Sequence, residues 1–157
     1  MNTIPVLHSD EIEEDRPMPS LNHSIVCQNL GGELYQFRDK VSVHQQLSLN
    51  LDGWQTIPDI CAYPLNDMPR DWMSDEDECT LPPSLVVEVL SPKQNLQPLL
   101  DKVKNYLRHG VKTCWVIIPG AGTLSVYPQS GPSHAFAEGF VKDEDLGVQV
   151  LLSKIFS

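Results

Sequence analysis

No apolar run in the 157 residues approaches the length of a membrane span, so no spanning helix is expected. Basic residues are scarce. Only 11 Lys and Arg stand against 21 Asp and Glu, a formal net charge of −10, and that global balance argues against a nucleic-acid partner. The four cysteines (Cys27, Cys61, Cys79 and Cys114) form no CxxC pair, which excludes a zinc ribbon and favours reduced, largely buried thiols. Met1-Asn2-Thr3-Ile4 lacks the basic and apolar segments of a secretory leader, so a cytoplasmic product with no membrane partner is expected. There is no internal repeat, and Pro119-Gly120-Ala121-Gly122 lacks the spacing of a phosphate-cradling loop. What remains is a chain long enough for one domain with a real core.

The charge that is present is unevenly placed. Residues 10–15 hold five acids and residues 71–78 hold five more, both in segments that read as tail or loop. Residues 93–112 carry Lys93, Lys102, Lys104, Arg108 and Lys112 against the single acid Asp101. A helix there would be a local positive focus in an acidic chain, able to meet DNA phosphates or simply to face water.

Leu85-Val86-Val87-Glu88-Val89-Leu90 reads as a strand buried on both faces, preceded by Pro83 and closed by Ser91-Pro92. Glu88 is out of place in it. A buried carboxylate must be protonated, paired or bound to a metal; the alternative is a glutamate at the sheet edge, facing solvent. Asp59 shows the same anomaly. In a strand over 55–63 it shares a face with Ile57 and Cys61, unless it merely ends a strand after Pro58.

Around these two acids the chain reads as follows. Residues 1–20 form a flexible acidic tail, and 21–157 a single domain. A helix begins near Asn22, capped by Asn22 or Ser24, with Ile25, Val26, Leu30, Leu34 and Phe37 at helical spacing. Gly31-Gly32 weakens it by about 1 kcal/mol per glycine. His23 reads as a surface residue, and Glu33 faces either a site or water. Residues 41–49 read as one strand, with His44 on its polar face, and Asn50-Leu51-Asp52-Gly53 as a turn. Residues 64–83 form an acidic loop containing Asp75-Glu76-Asp77-Glu78, with Trp72 and Met73 pinning it to the surface. That run lacks the spaced oxygens of a calcium loop.

A helix over 96–109 follows the central strand, capped by Asn95 and ended by Gly110. Leu96, Leu99, Leu100, Val103 and Leu107 are its apolar stripe, and Lys102 and Tyr106 border it. Cys114-Trp115-Val116-Ile117-Ile118 is a second buried strand, which completes a β–α–β unit. Residues 123–127 and 136–141 read as a hairpin, and Ile155 and Phe156 dock on the core at the end.

Two carboxylates and a lysine on one sheet-and-helix unit can do specific chemistry. Asp59 and Glu88 can hold Mg²⁺ or Mn²⁺ through oxygen, and Lys102 can orient a water or neutralise charge at a phosphate. Any α/β domain can hold an Asp, a Glu and a Lys, so the trio alone is a weak signal.

Pro58-Asp59-Ile60, then Val87-Glu88-Val89-Leu90-Ser91-Pro92, then Lys102 with Tyr106, Gly110-Val111 and Trp115-Val116-Ile117 resembles the Uma-two family of restriction endonucleases, in the PD-(D/E)XK nuclease superfamily. Leu146-Gly147-Val148 and residues 151–156 fit the family's ending. The resemblance implies an α/β (α+β) fold with a restriction-endonuclease-like core, a mixed central sheet flanked by helices. It implies a metal-dependent DNA endonuclease that hydrolyses phosphodiester bonds, with Asp59 and Glu88 as metal ligands and Lys102 as the catalytic cation. DNA would bind along 93–112, and a homodimer would cut both strands. The superfamily's usual lysine position, two after the second acid, is Leu90 here, and Lys102 matches the helix-borne lysine of this family. His23 falls where the family often has a histidine. Pro98 stands where the family commonly has an aspartate, and the family's N-terminal segment is shortened or replaced. The competing expectation is a catalytically inactive binding protein on the same scaffold.

Overall fold

The structure is a computed structural model and describes residues 18–157; the expected acidic tail therefore lies, but for its last three residues, outside the described residues. Helix α1 (Leu21–Tyr35) comes first. Its cap is Ser20, whose hydroxyl accepts from the His23 N–H at 3.1 Å, not Asn22 or Ser24. Of the mid-helix glycine pair, only Gly31 is crowded: a Cβ there would stand 2.6 Å from the Gln45 side-chain nitrogen, so alanine would make that flexible side chain shift, while a Cβ on Gly32 would meet nothing within 4 Å.

The strands are β1 (Val41–Gln45), β2 (Leu49–Leu51), β3 (Trp54–Thr56), β4 (Ile60–Pro64), β5 (Leu85–Val89), β6 (Thr113–Ile118), β7 (Thr123–Pro128), β8 (His134–Phe136), β9 (Phe140–Asp143) and β10 (Val148–Leu151). Helix α2 (Leu96–Arg108) joins β5 to β6, and α3 (Leu152–Ile155) follows β10. Six strands form one sheet in the order β1-β4-β5-β6-β7-β8. Only β5 and β6 are parallel, as a β–α–β crossover requires; the other pairs are antiparallel.

Several elements differ from the sequence reading. Residues 41–49 are not one strand but β1 and β2, separated where Gln46 takes a left-handed backbone (φ 52°). Residues 55–63 are likewise β3 and β4, broken at Ile57-Pro58-Asp59 because Pro58 has no N–H to give a ladder. The two short pieces pair as a hairpin over Asp52-Gly53, both at positive φ (54° and 92°). Residues 136–141 do not pair with β7 as one strand; β8 does, and β9 pairs with β10 instead.

The sheet has a core on each face, set by the strand period of two. Leu85, Val87, Val89, Trp115 and Ile117 point toward α1, α3 and the β9–β10 hairpin. Val86, Cys61, Tyr63, Cys114 and Val116 point toward α2 and the β2–β3 hairpin. Each large side chain taken fully out of water contributes about 1.5–3 kcal/mol. The buried face of α2 is Leu99, Val103 and Tyr106; Leu96 is exposed, so the stripe is rotated from the expected one and takes in Tyr106. Cys61 and Cys114 are buried free thiols in this second core. The acidic loop is tied at its end, where Cys79 exchanges backbone hydrogen bonds with Ser48 and Asn50 and Glu78 accepts from Gln55. Trp72 (92% exposed) and Met73 (100%) do not pin it.

Candidate active site

Glu88 is not at a sheet edge. It lies in β5, between β4 and β6, and is 5% exposed. Alternation puts it on the face of Val86, under α2. The antiparallel register, Ile60 opposite Val87, carries Asp59 alongside Glu88 one step beyond the last paired residues. There the chain has left the ladder, and the Asp59 carboxylate (Oδ2) turns to accept the Val89 N–H at 2.8 Å. The Asp59 carbonyl in turn accepts the Gln46 N–H at 3.2 Å, so both strand breaks meet at this point.

Two residues of α2, one turn apart, reach down to Glu88. Lys102 places Nζ 2.9 Å from Oε1. The Tyr106 hydroxyl donates to the same oxygen at 3.0 Å, and the Thr56 hydroxyl, 2.9 Å away, completes the chain by donating to Tyr106. Asp59 has its own cation. His23 is a largely buried residue, not a surface one, with Nε2 3.3 Å from Asp59 Oδ2. Four residues on, Cys27 places its sulfur 3.7 Å from His23 Nδ1.

The electrostatics follow from burial and pairing. Burial pushes the Glu88 carboxyl up to about 7, with the Asp59 charge adding and Lys102 and Tyr106 opposing. Burial also works to raise Asp59, but the His23 contact, the Val89 N–H and Lys102 together hold it below its ordinary value. The His23 imidazole is pushed up to about 10, chiefly by its hydrogen bond to Asp59 and then by Cys27, against burial. One acid is thus ionised and the other poised near neutrality. Asp59 Oδ1 and Glu88 Oε2 have no partner among the described residues.

His23, Asp59, Glu88, Lys102, Asn105 and Arg108 all line one open cleft of about 1080 Å³. The sequence-derived trio therefore comes together. Of the basic set in 93–112, Lys102 and Arg108 reach the cleft, while Lys93, Lys104 and Lys112 are exposed elsewhere on the surface. Glu33 is half-buried and His44 lies with Ser42 and Tyr63; neither lines the cleft. The sequence reading missed His23 and Thr56. For His23 the signal was present: His23, Val26, Leu30 and Leu34 form one buried stripe of α1.

A mixed sheet with a parallel β–α–β centre, flanked by helices and carrying two acids and a lysine at one cleft, is the architecture of a restriction-endonuclease-like nuclease fold. The crystal structure of a "putative nuclease belonging to DUF820" from Anabaena variabilis is similar to it, with a TM-score of 0.80 at 20% identity over 90% of this chain and 83% of that one. The chain belongs to the Uma2 family, described as "Putative restriction endonuclease", whose model matches residues 6–153. No curated protein matches it. No helix among the described residues is long and apolar enough to cross a membrane.

Proposed function

We propose that the protein is a Mg²⁺- or Mn²⁺-dependent endonuclease that hydrolyses phosphodiester bonds of DNA in this cleft. The observation that carries the reading is the convergence of Asp59, Glu88 and Lys102, with Lys102 Nζ 2.9 Å from Glu88. The donor set fits a hard cation. Among the described residues each of the two carboxylates keeps one oxygen without a partner, and a divalent ion would offset the burial that, with the Asp59 charge adding to it, raises the Glu88 carboxyl. Asp59 and Glu88 would hold the ion, which when bound neutralises phosphate charge and acidifies a water. Tyr106 holds Glu88 in place, and His23 with the Val89 N–H holds Asp59. Lys102 supplies a fixed positive charge where negative charge develops on the phosphate. Of the basic residues in 93–112, Arg108 at the cleft wall would meet the DNA backbone beside Lys102, which makes binding salt-dependent. A homodimer would place two such clefts on opposite strands, and a cytoplasmic location goes with this reading.

The competing reading is an inactive nuclease-fold binding protein, favoured by Pro98 at the cleft in place of the aspartate common in the family. Plasmid nicking separates the two. Cleavage in Mg²⁺ or Mn²⁺ should disappear on chelation and fall on the order of 10²–10³-fold in Lys102→Ala, the cost of removing one preorganised charge-stabilising group. Glu88→Ala should abolish it. Cleavage that survives both substitutions would exclude this site, and failure of the wild type to bind Mn²⁺ would favour the inactive reading.

A further inference from the structure

Among the described residues, one group of three His, Cys and acidic side chains brings its ligand atoms within 4.8 Å of one another: His23, Cys27 and Asp59. We propose that these three form a second metal site, selective for a borderline ion such as Zn²⁺, which competes with a hard cation by taking Asp59. The hydrolytic reading does not use Cys27, so this site stands or falls apart from it.

The placement is built into the fold. His23 and Cys27 are four residues apart on α1 and share one face of it. Asp59 is held against that face by the Val89 and Gln46 backbone N–H groups. The His23 Nε2 to Asp59 Oδ2 separation is 3.3 Å, and two ligands on one tetrahedral zinc stand roughly that far apart at zinc's preferred N and O bond lengths. The Cys27 sulfur lies 3.7 Å from the other ring nitrogen, Nδ1, so an ion held between Nε2 and Asp59 draws the Cys27 side chain toward it; one ligand atom from each of the three residues already lies within 4.8 Å of the others. A carboxylate has about four acceptor positions, so Oδ2 can keep its Val89 bond. Donor chemistry sets the selectivity. A set of imidazole nitrogen, thiolate sulfur and one carboxylate oxygen suits zinc, whereas Mg²⁺ takes oxygen and binds sulfur poorly. Three protein ligands leave a fourth position, and the cleft lined by His23 and Asp59 can supply it with water.

Co²⁺ is the probe, because a thiolate bound to it gives a near-ultraviolet charge-transfer absorption that oxygen and nitrogen ligands do not. Titration of the whole chain, stripped of metal, should give that absorption in the wild type, in Glu88→Gln and in Cys79→Ser. It should vanish in Cys27→Ser, and Zn²⁺ should displace Co²⁺ from the wild type. Zn²⁺ affinity should fall at least about tenfold in Cys27→Ser, since even a ligand's supporting partner is worth that much. No absorption in the wild type at saturating Co²⁺, or absorption that persists in Cys27→Ser, would overturn the proposal. A reading that needs no variant guards against misfolding: Zn²⁺ should slow alkylation of Cys27 in the wild type, mapped by mass spectrometry, and leave Cys79 unprotected. Equal alkylation of Cys27 with and without Zn²⁺ would also overturn it. If Mn²⁺ fails to bind but the thiolate absorption appears, the hydrolytic reading falls and this one stands.

Discussion

Glu88→Gln isolates the cost of the buried carboxylate. Gln has nearly the same shape and keeps an acceptor for Lys102 and Tyr106, but it cannot ionise. The Glu88 carboxyl is raised from 4.5 to about 7 in the folded protein. A group raised on folding contributes stability that is fully present below its unfolded value and is lost as pH rises through the folded one. The wild type should therefore lose stability between pH 4.5 and 7 through this group, and the variant should not. Integrated over the two values, the loss between pH 5 and pH 8 is on the order of 2–3 kcal/mol. Other groups titrate alike in both proteins and largely cancel, so the stability of the variant relative to wild type should rise by about that amount over the interval. At an m-value of about 2 kcal/mol/M, the gap between the two urea midpoints should move by roughly 1 M in the variant's favour. The assay is urea unfolding of both proteins at pH 5 and pH 8, in chelator. A gap that does not change with pH would refute the claim that burial raises Glu88. Repeating it in Mn²⁺ adds a check on the candidate metal ligands: wild type should gain stability at pH 8 and the variant much less.

Three further outcomes are expected. Tyr106→Phe removes the hydroxyl between Thr56 and Glu88 and should cost about 1–3 kcal/mol by urea unfolding, because both partners stay buried. In Lys102→Met, Glu88 loses its counter-charge and its carboxyl should rise above about 7; destabilisation measured by thermal unfolding should be larger at pH 8 than at pH 5, and equal losses at both would count against the pair. The His23 imidazole should remain charged at pH 8, with an NMR titration midpoint near 10, and the stability gap between wild type and His23→Gln should be full below pH 6.5 and shrink as pH rises toward 10. A midpoint near 6.5 would mean that the Asp59 contact does not form in solution.

The residues themselves explain which parts of the site could be read in advance. Glu88 stood out because a carboxylate in a run of valines has no inexpensive place in a strand, and β5 is central and buried. Lys102 stood out as the cation that follows on the next helix. Asp59 was noticed for a different reason than the one that positions it: it is not on the face of a strand but in a break between two, where register carries it to Glu88. His23 was misread because a single histidine near a helix start has many exposed precedents, and its partner lies 36 positions away in the chain. The pairing of 136–141 was misread, and the β9–β10 hairpin went unread, because strands of three or four residues carry too little periodicity to choose their neighbours.

What the sequence determined by itself was local and compositional: a double-faced buried strand from consecutive β-branched residues, an amphipathic helix after it, a second buried strand, and a turn at Asp52-Gly53. These follow from a two-residue or 3.6-residue period and from steric rules acting over a few positions. Only the tertiary structure decided which charges meet. Asp59, His23 and Cys27 at one corner, and Glu88, Lys102, Tyr106 and Thr56 at the next, come from five separate elements: α1, the β3 end, the break before β4, β5 and α2. Their distances depend on sheet order and register, which no local pattern encodes. Burial, which raises Glu88 and makes it a candidate for binding a cation, exists only once those elements have closed over it.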